Sequence, residues 1–268
     1  MKALKILIVM LILIMSVGAV CAAESISDDA MGDDSKEILE TVQEDITTDD
    51  SADILKTAQN DIYTASEGSF TNLTDEITGK TSYDLTRNYK FNNETDNSKG
   101  IVIRNDNFVL NGNGFTIDAN NQARAFAVIA KNVTINNLTI INAKMDSGSA
   151  IYIDGGGLTT NYVNVVNCSC TVNKGVILIN EATYFSNNDR ITDSVVNDGG
   201  VIIANHGNAT FDNLFMMSSK ELVWGFINAQ EGSTITVLNS VFANTTSQYS
   251  TAIRGDKSTI IKNSKFIN

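Results

Sequence analysis

Residues 125–149 read AFAVIAKNVTINNLTIINAKMDSGS, and the reading of these 25 residues decides the fold. A small residue is followed by the apolar pair Phe126 and Val128, then by Val133 and Ile135, then by Leu138 and Ile140. Apolar and polar side chains alternate within each short run, the period of a strand with one face in a core and the other in water. The same pattern returns at steps of 25 residues in both directions. Ile101 and Ile103, Ile151 and Ile153, Val176 and Leu178, and Val201 and Ile203 repeat the first pair, and Phe226 with Asn228 and then Ile253 continue it.

A second apolar column follows the first, at Phe108 and Leu110, Leu158, Phe185, Phe211, Ile235 and Val237, and Ile260. A third runs through Phe115 and Ile117, Val163 and Val165, Val196, Leu214 and Met216, Phe242 and Phe266. Three strands per repeat with like residues in register demand a coil of parallel sheet, and a repeat of this kind is stable only when stacked. The expected fold is all-β, a right-handed, single-stranded parallel β-helix of about seven rungs with a short N-terminal helical cap. The third strand carries a local motif: Asn137-LTII-Asn142, Asp193-SVVN-Asp198, Asn213-LFMM-Ser218, Asn239-SVFA-Asn244 and Asn263-SKFI-Asn268. Tyr162-VNVV-Asn167 fits it only at its second end. Asx side chains tolerate left-handed backbone and bond to turns, so they are expected to stack from rung to rung. In the fourth rung Ser186–Thr192 reads as a lengthened turn and Asp198-Gly199-Gly200 as a shortened one.

Outside the repeats the chain changes character. There are 32 asparagines in the 268 residues, no proline and one histidine, which suits many short strands and tight bends. SFTNLTDEITG at 69–79 reads as an amphipathic helix carrying Phe70, Leu73 and Ile77, and TSYDLTRNYKFN at 81–92 as a strand. Residues 67–99 are therefore a cap and first half-rung, and 100–268 the β-helix. Residues 23–66 form an acidic spacer, expected to be disordered or weakly helical; 23–62 alone hold 13 acidic residues against 2 lysines. Residues 63–268 hold 18 acids and 15 bases with no basic stripe, which excludes a nucleic-acid partner. Lys2 and Lys5, the apolar run Ile6–Met15 and the small residues Ala19, Ala22 and Ala23 make 1–22 a signal peptide, with no membrane span after cleavage and an extracellular or cell-surface destination. Cys168 and Cys170 read as small buried core residues.

The stretch LNGNGFTIDANNQARAFAVIAKNVTINNLTIINA at 110–143, with ASEGSFTNLTDEITG at 65–79, resembles the adhesin-like β-helix proteins of methanogenic archaea. The resemblance implies a β-helix of the pectate-lyase-like superfamily, secretion, and display at the cell surface.

Some parallel β-helices are pectinases or polysaccharide lyases, and a hydrolase needs carboxylates converging on one face. The candidates are Asp118, Asp154, Asp189 and Asp198, with His206 and Arg190, but no paired Asp-Asp accompanies them. Asp189-Arg190 reads as a surface ion pair, Gly155-Gly156-Gly157 as a tight bend, and no calcium nonapeptide occurs. No catalytic, metal or cofactor site is expected. Binding is the leading expectation: turns at Ala143–Ser149, Cys168–Lys174, Ser219–Trp224 and Thr245–Thr251 would stack along one side, where Trp224 and Tyr249 could meet a ligand or pack over their own coil. Of the Asn-X-Ser/Thr sequons, Asn72, Asn93 and Asn208 are the favoured glycosylation acceptors, while Asn137 is assigned to a strand. The function expected is an adhesin-like protein presenting a rigid surface to a glycan, cell-surface or matrix partner; the alternatives are a carbohydrate-active enzyme and a passive envelope spacer. The last rung, Thr259–Asn268, is expected to be covered by a partner, to fray, or to continue into further chain.

Overall fold

The computed structural model describes residues 66–172, 174–197, 199–218, 224–244 and 252–267. The signal peptide, the acidic spacer up to residue 65, Asp198 and Tyr249 lie outside the described residues. The described chain begins with helix α1, Phe70–Ile77, whose first turn is closed by a capping box between Ser69 and Asn72. The Asp96 carboxylate also accepts from the amides of Phe70 and Thr71, at 3.0 and 2.8 Å. Phe70, Leu73 and Ile77 form its buried face.

From there the chain coils through three parallel sheets in turn. Sheet I has seven strands, from Ile101–Ile103 to Ile253–Arg254; sheet II has eight, from Ser82–Asp84 to Ser258–Lys262; sheet III has eight, from Tyr89–Lys90 to Lys265–Ile267. Each strand pairs in parallel with the strand one coil away: Phe126 with Ile151 and Ile151 with Ile177 in sheet I, Thr139 with Asn164 and Asn164 with Arg190 in sheet III. The protein is thus an all-β parallel solenoid of about seven turns, with coils stacked about 4.8 Å apart. Its core runs up the inside of the coil through residues such as Ile103, Ile117, Ile135, Ile140, Ile153, Phe211 and Phe242, all buried. Ser82–Asp84 and Tyr89–Lys90 supply the expected first half-rung.

The corners are made by left-handed backbone. Between sheets II and III, Asn137, Tyr162, Asn188, Asn213, Asn239 and Asn263 hold φ between 47° and 56° in six successive coils. Asn is enriched there because its short polar side chain tolerates this conformation. Beside the corners the asparagine amides form ladders. The Nδ2 group of Asn136 donates to Asn111 at 2.9 Å, Asn161 to Asn136 at 2.9 Å, and Asn187 to Asn161 at 3.2 Å. Two further ladders climb from Asp118 through Asn142 to Asn167, and from Asp154 through Asn180 to Asn205. Each starts on an aspartate, a pure acceptor, and the first ladder likewise rests on Asp84.

Four sequence expectations are corrected. First, the in-register partners of Ile151 and Ile153 are Ile177 and Ile179, then Ile202 and Ala204, then Ile227 and Ala229, one residue beyond the pairs named from Val176 onward. An extra residue enters after Ser169–Cys170, and because Val176, Ile177, Leu178 and Ile179 are all buried, no alternation reveals the slip. Second, the fourth rung has no lengthened turn: Arg190–Thr192 is its sheet III strand, while Val195–Val196 joins Lys144–Met145 and Ser169–Cys170 in a small fourth sheet. The true motif of that rung is Asn188-DRIT-Asp193. Third, Asn137 is an exposed corner residue and not a strand residue. Fourth, Phe185 points outward, and Tyr184 takes the inward place beside Leu158. In the final coil Ser258–Lys262 and Lys265–Ile267 pair with the coil before, and the Phe266 ring stacks on Phe242 at 5.1 Å. Cys168 and Cys170 are buried free thiols, as read, and burial pushes the Cys168 thiol up to about 12.

Asn161→Ala removes one ladder bond on each side while leaving the strand intact. Its expected cost is about 1–3 kcal/mol, seen as a lower melting temperature by circular dichroism.

Candidate functional site

The corner between sheets II and III at the third and fourth coils is where the repeat breaks its own pattern. Along sheet II one inward column reads Ile135, Thr160, Ser186, Phe211, Val237, so two hydroxyls interrupt an apolar series. At the start of sheet III another inward column reads Leu138, Val163, Asp189, Leu214, Ser240, and a carboxylate takes the place of leucine. Asp189 is only 3% exposed. It points into the coil, so it forms no ion pair with Arg190, which points outward and lies over the Phe215 ring at 4.3 Å from its centroid. Asp189 directly precedes the strand that Arg190 opens, and successive extended residues face opposite sides.

The buried carboxylate is surrounded by donors. Ser186 Oγ donates to its Oδ2 at 2.7 Å, Thr160 donates to the same oxygen, and the Val163 amide donates to Oδ1 at 2.7 Å. The Tyr184 hydroxyl meets Thr160 Oγ1 at 2.9 Å. Burial nevertheless dominates and pushes the Asp189 carboxyl up to about 6, against the pull of these hydrogen bonds.

The outer side of the same corner is equally irregular. Tyr162 sits at φ 56° where every other described coil from Asn137 to Asn263 has asparagine, and its side chain is 61% exposed. A bulky aromatic residue in left-handed backbone is a strained outlier, worth about 1–2 kcal/mol. Its immediate neighbour is Val163, whose amide is the one held by Asp189. On the adjacent coil Phe185, 39% exposed, interrupts an outward column of threonines, Thr134, Thr159, Thr210 and Thr236. Tyr162 and Phe185 lie on the order of 10 Å apart, three extended residues along and one coil across. With Arg190 stacked on Phe215 around the bend, the corner offers exposed rings, a guanidinium and the amides of the asparagine ladder. This set suits recognition of a hydroxyl-rich, ring-shaped ligand.

The other named residues do not gather. Asp118 and Asp154 head separate ladders at different corners, and His206 lies at the corner between sheets I and II with Nδ1 3.5 Å from Glu231. Among the described residues no three His, Cys, Asp or Glu side chains are grouped to hold a metal ion. Trp224 is half-buried, with the Arg254 guanidinium of the next coil 5.1 Å from its ring centroid. Asn72, Asn93 and Asn208 are all exposed; Asn72 lies in the first turn of α1 with its Oδ1 accepting from the Ser69 amide, and Asn208 opens a sheet II strand with its Oδ1 accepting from the Thr234 hydroxyl. Neither Tyr162 nor Phe185 was singled out from sequence as a site. The available signal was that Tyr162 fails the Asn motif at its first position.

No family model matches the chain, and neither a curated protein nor a solved structure shows significant similarity to it. Among the described residues no helix is long and apolar enough to cross a membrane.

Asp189 gives a pH signature. Its folded-state value lies above the ordinary carboxylate value near 3.9, so the neutral form is favoured on folding. Its contribution is fully present below about pH 4 and is lost as pH rises through about 6. Glu76 and Asp96 have the opposite tendency: burial raises them, but hydrogen bonds from Tyr89, Tyr83 and Arg87 to Glu76, and from the amides of Asn92, Thr71 and Phe70 to Asp96, hold both carboxyls low. Their influence falls below about pH 4. Denaturation of the wild type should therefore show stability falling by about 1–2 kcal/mol between pH 5 and pH 7.5. Asp189→Asn, which keeps the acceptor for Val163, should lose this slope.

Proposed function

We propose that the chain is a secreted, surface-displayed binding protein of the adhesin-like kind, without catalytic activity, which holds a cell-surface or matrix glycan against the corner formed by Tyr162 and Phe185. The observation that carries this reading is Tyr162 itself: a strained, solvent-facing aromatic residue in a column of asparagines, fixed from inside by a buried carboxylate. Backbone strain of this sort persists only where the surroundings enforce it, and it concentrates at binding and active sites. A rigid corner also binds at a smaller entropic cost than a loop that must first be ordered. The leader sequence at 1–22 and the resemblance of 110–143 to adhesin-like proteins support the same reading. The scattered carboxylates favour binding over polysaccharide cleavage, and the exposed rings favour it over a passive spacer.

Replacing Tyr162 by Asn and Phe185 by Thr restores the pattern of the neighbouring coils. Thermal denaturation should show the double variant to be as stable as the wild type or about 1–2 kcal/mol more stable, through relief of the left-handed tyrosine. On arrays of envelope polysaccharides its affinity should fall at least about 30-fold, the loss of an aromatic hot spot. Trp224→Ala should bind as the wild type does. Undiminished binding by the double variant, or shortening of the polysaccharide by the wild type, would overturn the proposal.

A further inference from the structure

A cleft of about 540 Å³ lies between α1 and the outer side of the first strand of sheet I, separate from the corner. Its volume is that of a site for a small ligand or a short oligosaccharide. Val102 is the partly exposed apolar side chain at its floor, with Phe70 and Ile77 almost fully buried beneath it, and among the described residues no carboxylate lines it. Lys99 and Arg104 stand on its rim, both exposed, and among the described residues neither has a carboxylate within ion-pair distance.

The helix wall has the opposite hydrogen-bonding character. Thr71, Thr74 and Thr78 face the cleft, and each hydroxyl donates its only proton to the backbone: to the carbonyls of Thr95 at 3.1 Å, Phe70 at 2.9 Å and Thr74 at 2.7 Å. Their oxygens are left with accepting lone pairs. Asn105 donates from Nδ2 to the carbonyls of Ile77 and Lys80, at 3.0 and 2.8 Å, and its own carbonyl oxygen remains an acceptor. The cleft therefore combines a wall of acceptors, a cationic rim and an apolar floor. A complementary ligand must donate from hydroxyls, carry a negative charge and present a C–H face. Phosphate lacks the face and most of the donors, a fatty acid lacks the hydroxyls, and a neutral sugar lacks the charge.

We infer that this cleft binds a carboxylated sugar, with its carboxylate between Lys99 and Arg104 and its hydroxyls donating to the threonines of α1. This site shares no residue with the Tyr162 corner and does not rest on it.

Titration calorimetry of the secreted chain with uronic-acid oligosaccharides, and with the same oligosaccharides after reduction of the carboxyl to an alcohol, tests the inference. The acidic form should bind saturably, more weakly as salt is raised, and at least about tenfold more tightly than the reduced form. Lys99→Gln and Arg104→Gln, both exposed and expected to leave the melting temperature unchanged, should each weaken binding about tenfold. Thr74→Val should weaken it about fivefold, which attraction by charge alone does not explain. The double variant at Tyr162 and Phe185 should bind the acidic sugar as the wild type does, so failure of the corner proposal leaves this result intact. Equal binding of the reduced oligosaccharide, equal binding of inorganic phosphate, indifference to both cation substitutions, or no heat at millimolar ligand would each overturn the inference.

Discussion

Parallel pairing between one coil and the next is the constraint on which everything else depends. A strand that hydrogen-bonds to its own continuation about 25 residues later must turn three corners on the way, at nearly the same height in every coil. Turning so sharply requires left-handed backbone, and asparagine supplies it with little strain while offering an amide that both donates and accepts. Stacking then places one amide directly over the next, so the residue chosen for its backbone also bonds between coils. The aspartates at the feet of the three ladders follow from the same geometry, because the lowest position needs only to accept. Asp118 and Asp154 are explained by that need, and no catalytic role is required to account for them.

The interior of the third and fourth coils carries a cluster that departs from this pattern. Thr160, Ser186 and Asp189 put three polar groups where the neighbouring coils have isoleucine, phenylalanine and leucine. Apolar residues there would serve stability better, since a buried carboxylate is costly to desolvate even when well bonded. What the cluster provides is position. Asp189 fixes the Val163 amide one coil below, as Ser240 does for the Leu214 amide at 3.0 Å and Ser264 for the Ser240 amide at 3.1 Å. At the Asp189 coil the anchored amide adjoins Tyr162 in left-handed backbone, and at another corner His206, at φ 50°, likewise precedes the Gly207 amide held by Ser233 at 3.1 Å. Of these anchors Asp189 is the charged acceptor.

The fold was legible because its period is long and its residues are in register: Phe126, Ile151 and their partners recur with little else to explain them. Register within sheet I was not legible past Val176, because both faces of that sheet are buried there and hydrophobicity loses its alternation. The fourth set of short strands was invisible for a related reason. Met145, Cys170 and Val196 each belong to a strand of two residues, too short for a period, and Val196 was absorbed into the wrong column. That error hid Asn188-DRIT-Asp193, and with it the inward direction of Asp189. The candidate site was legible only as a misfit, Tyr162 against the asparagines. Phe185 was hidden because TYFSN places two aromatic residues side by side, and nothing in the linear pattern says which one faces in.

A repeat protein carries its own reference state, and this makes the misfits informative. In a globular fold an exposed tyrosine at positive φ has no internal standard against which its cost can be judged. Here five sister corners show what the backbone accepts at that position, and all five carry asparagine. The outward neighbours of Phe185 make the same comparison with threonine. The threonine column also departs at Val109 and Ile260, in its outer coils, while among the described coils from Asn137 to Asn263 the asparagine column departs at Tyr162. Inward polar residues and outward aromatic residues coincide on two adjacent coils at one corner. That coincidence supports the proposed reading of this corner as a binding surface braced from within.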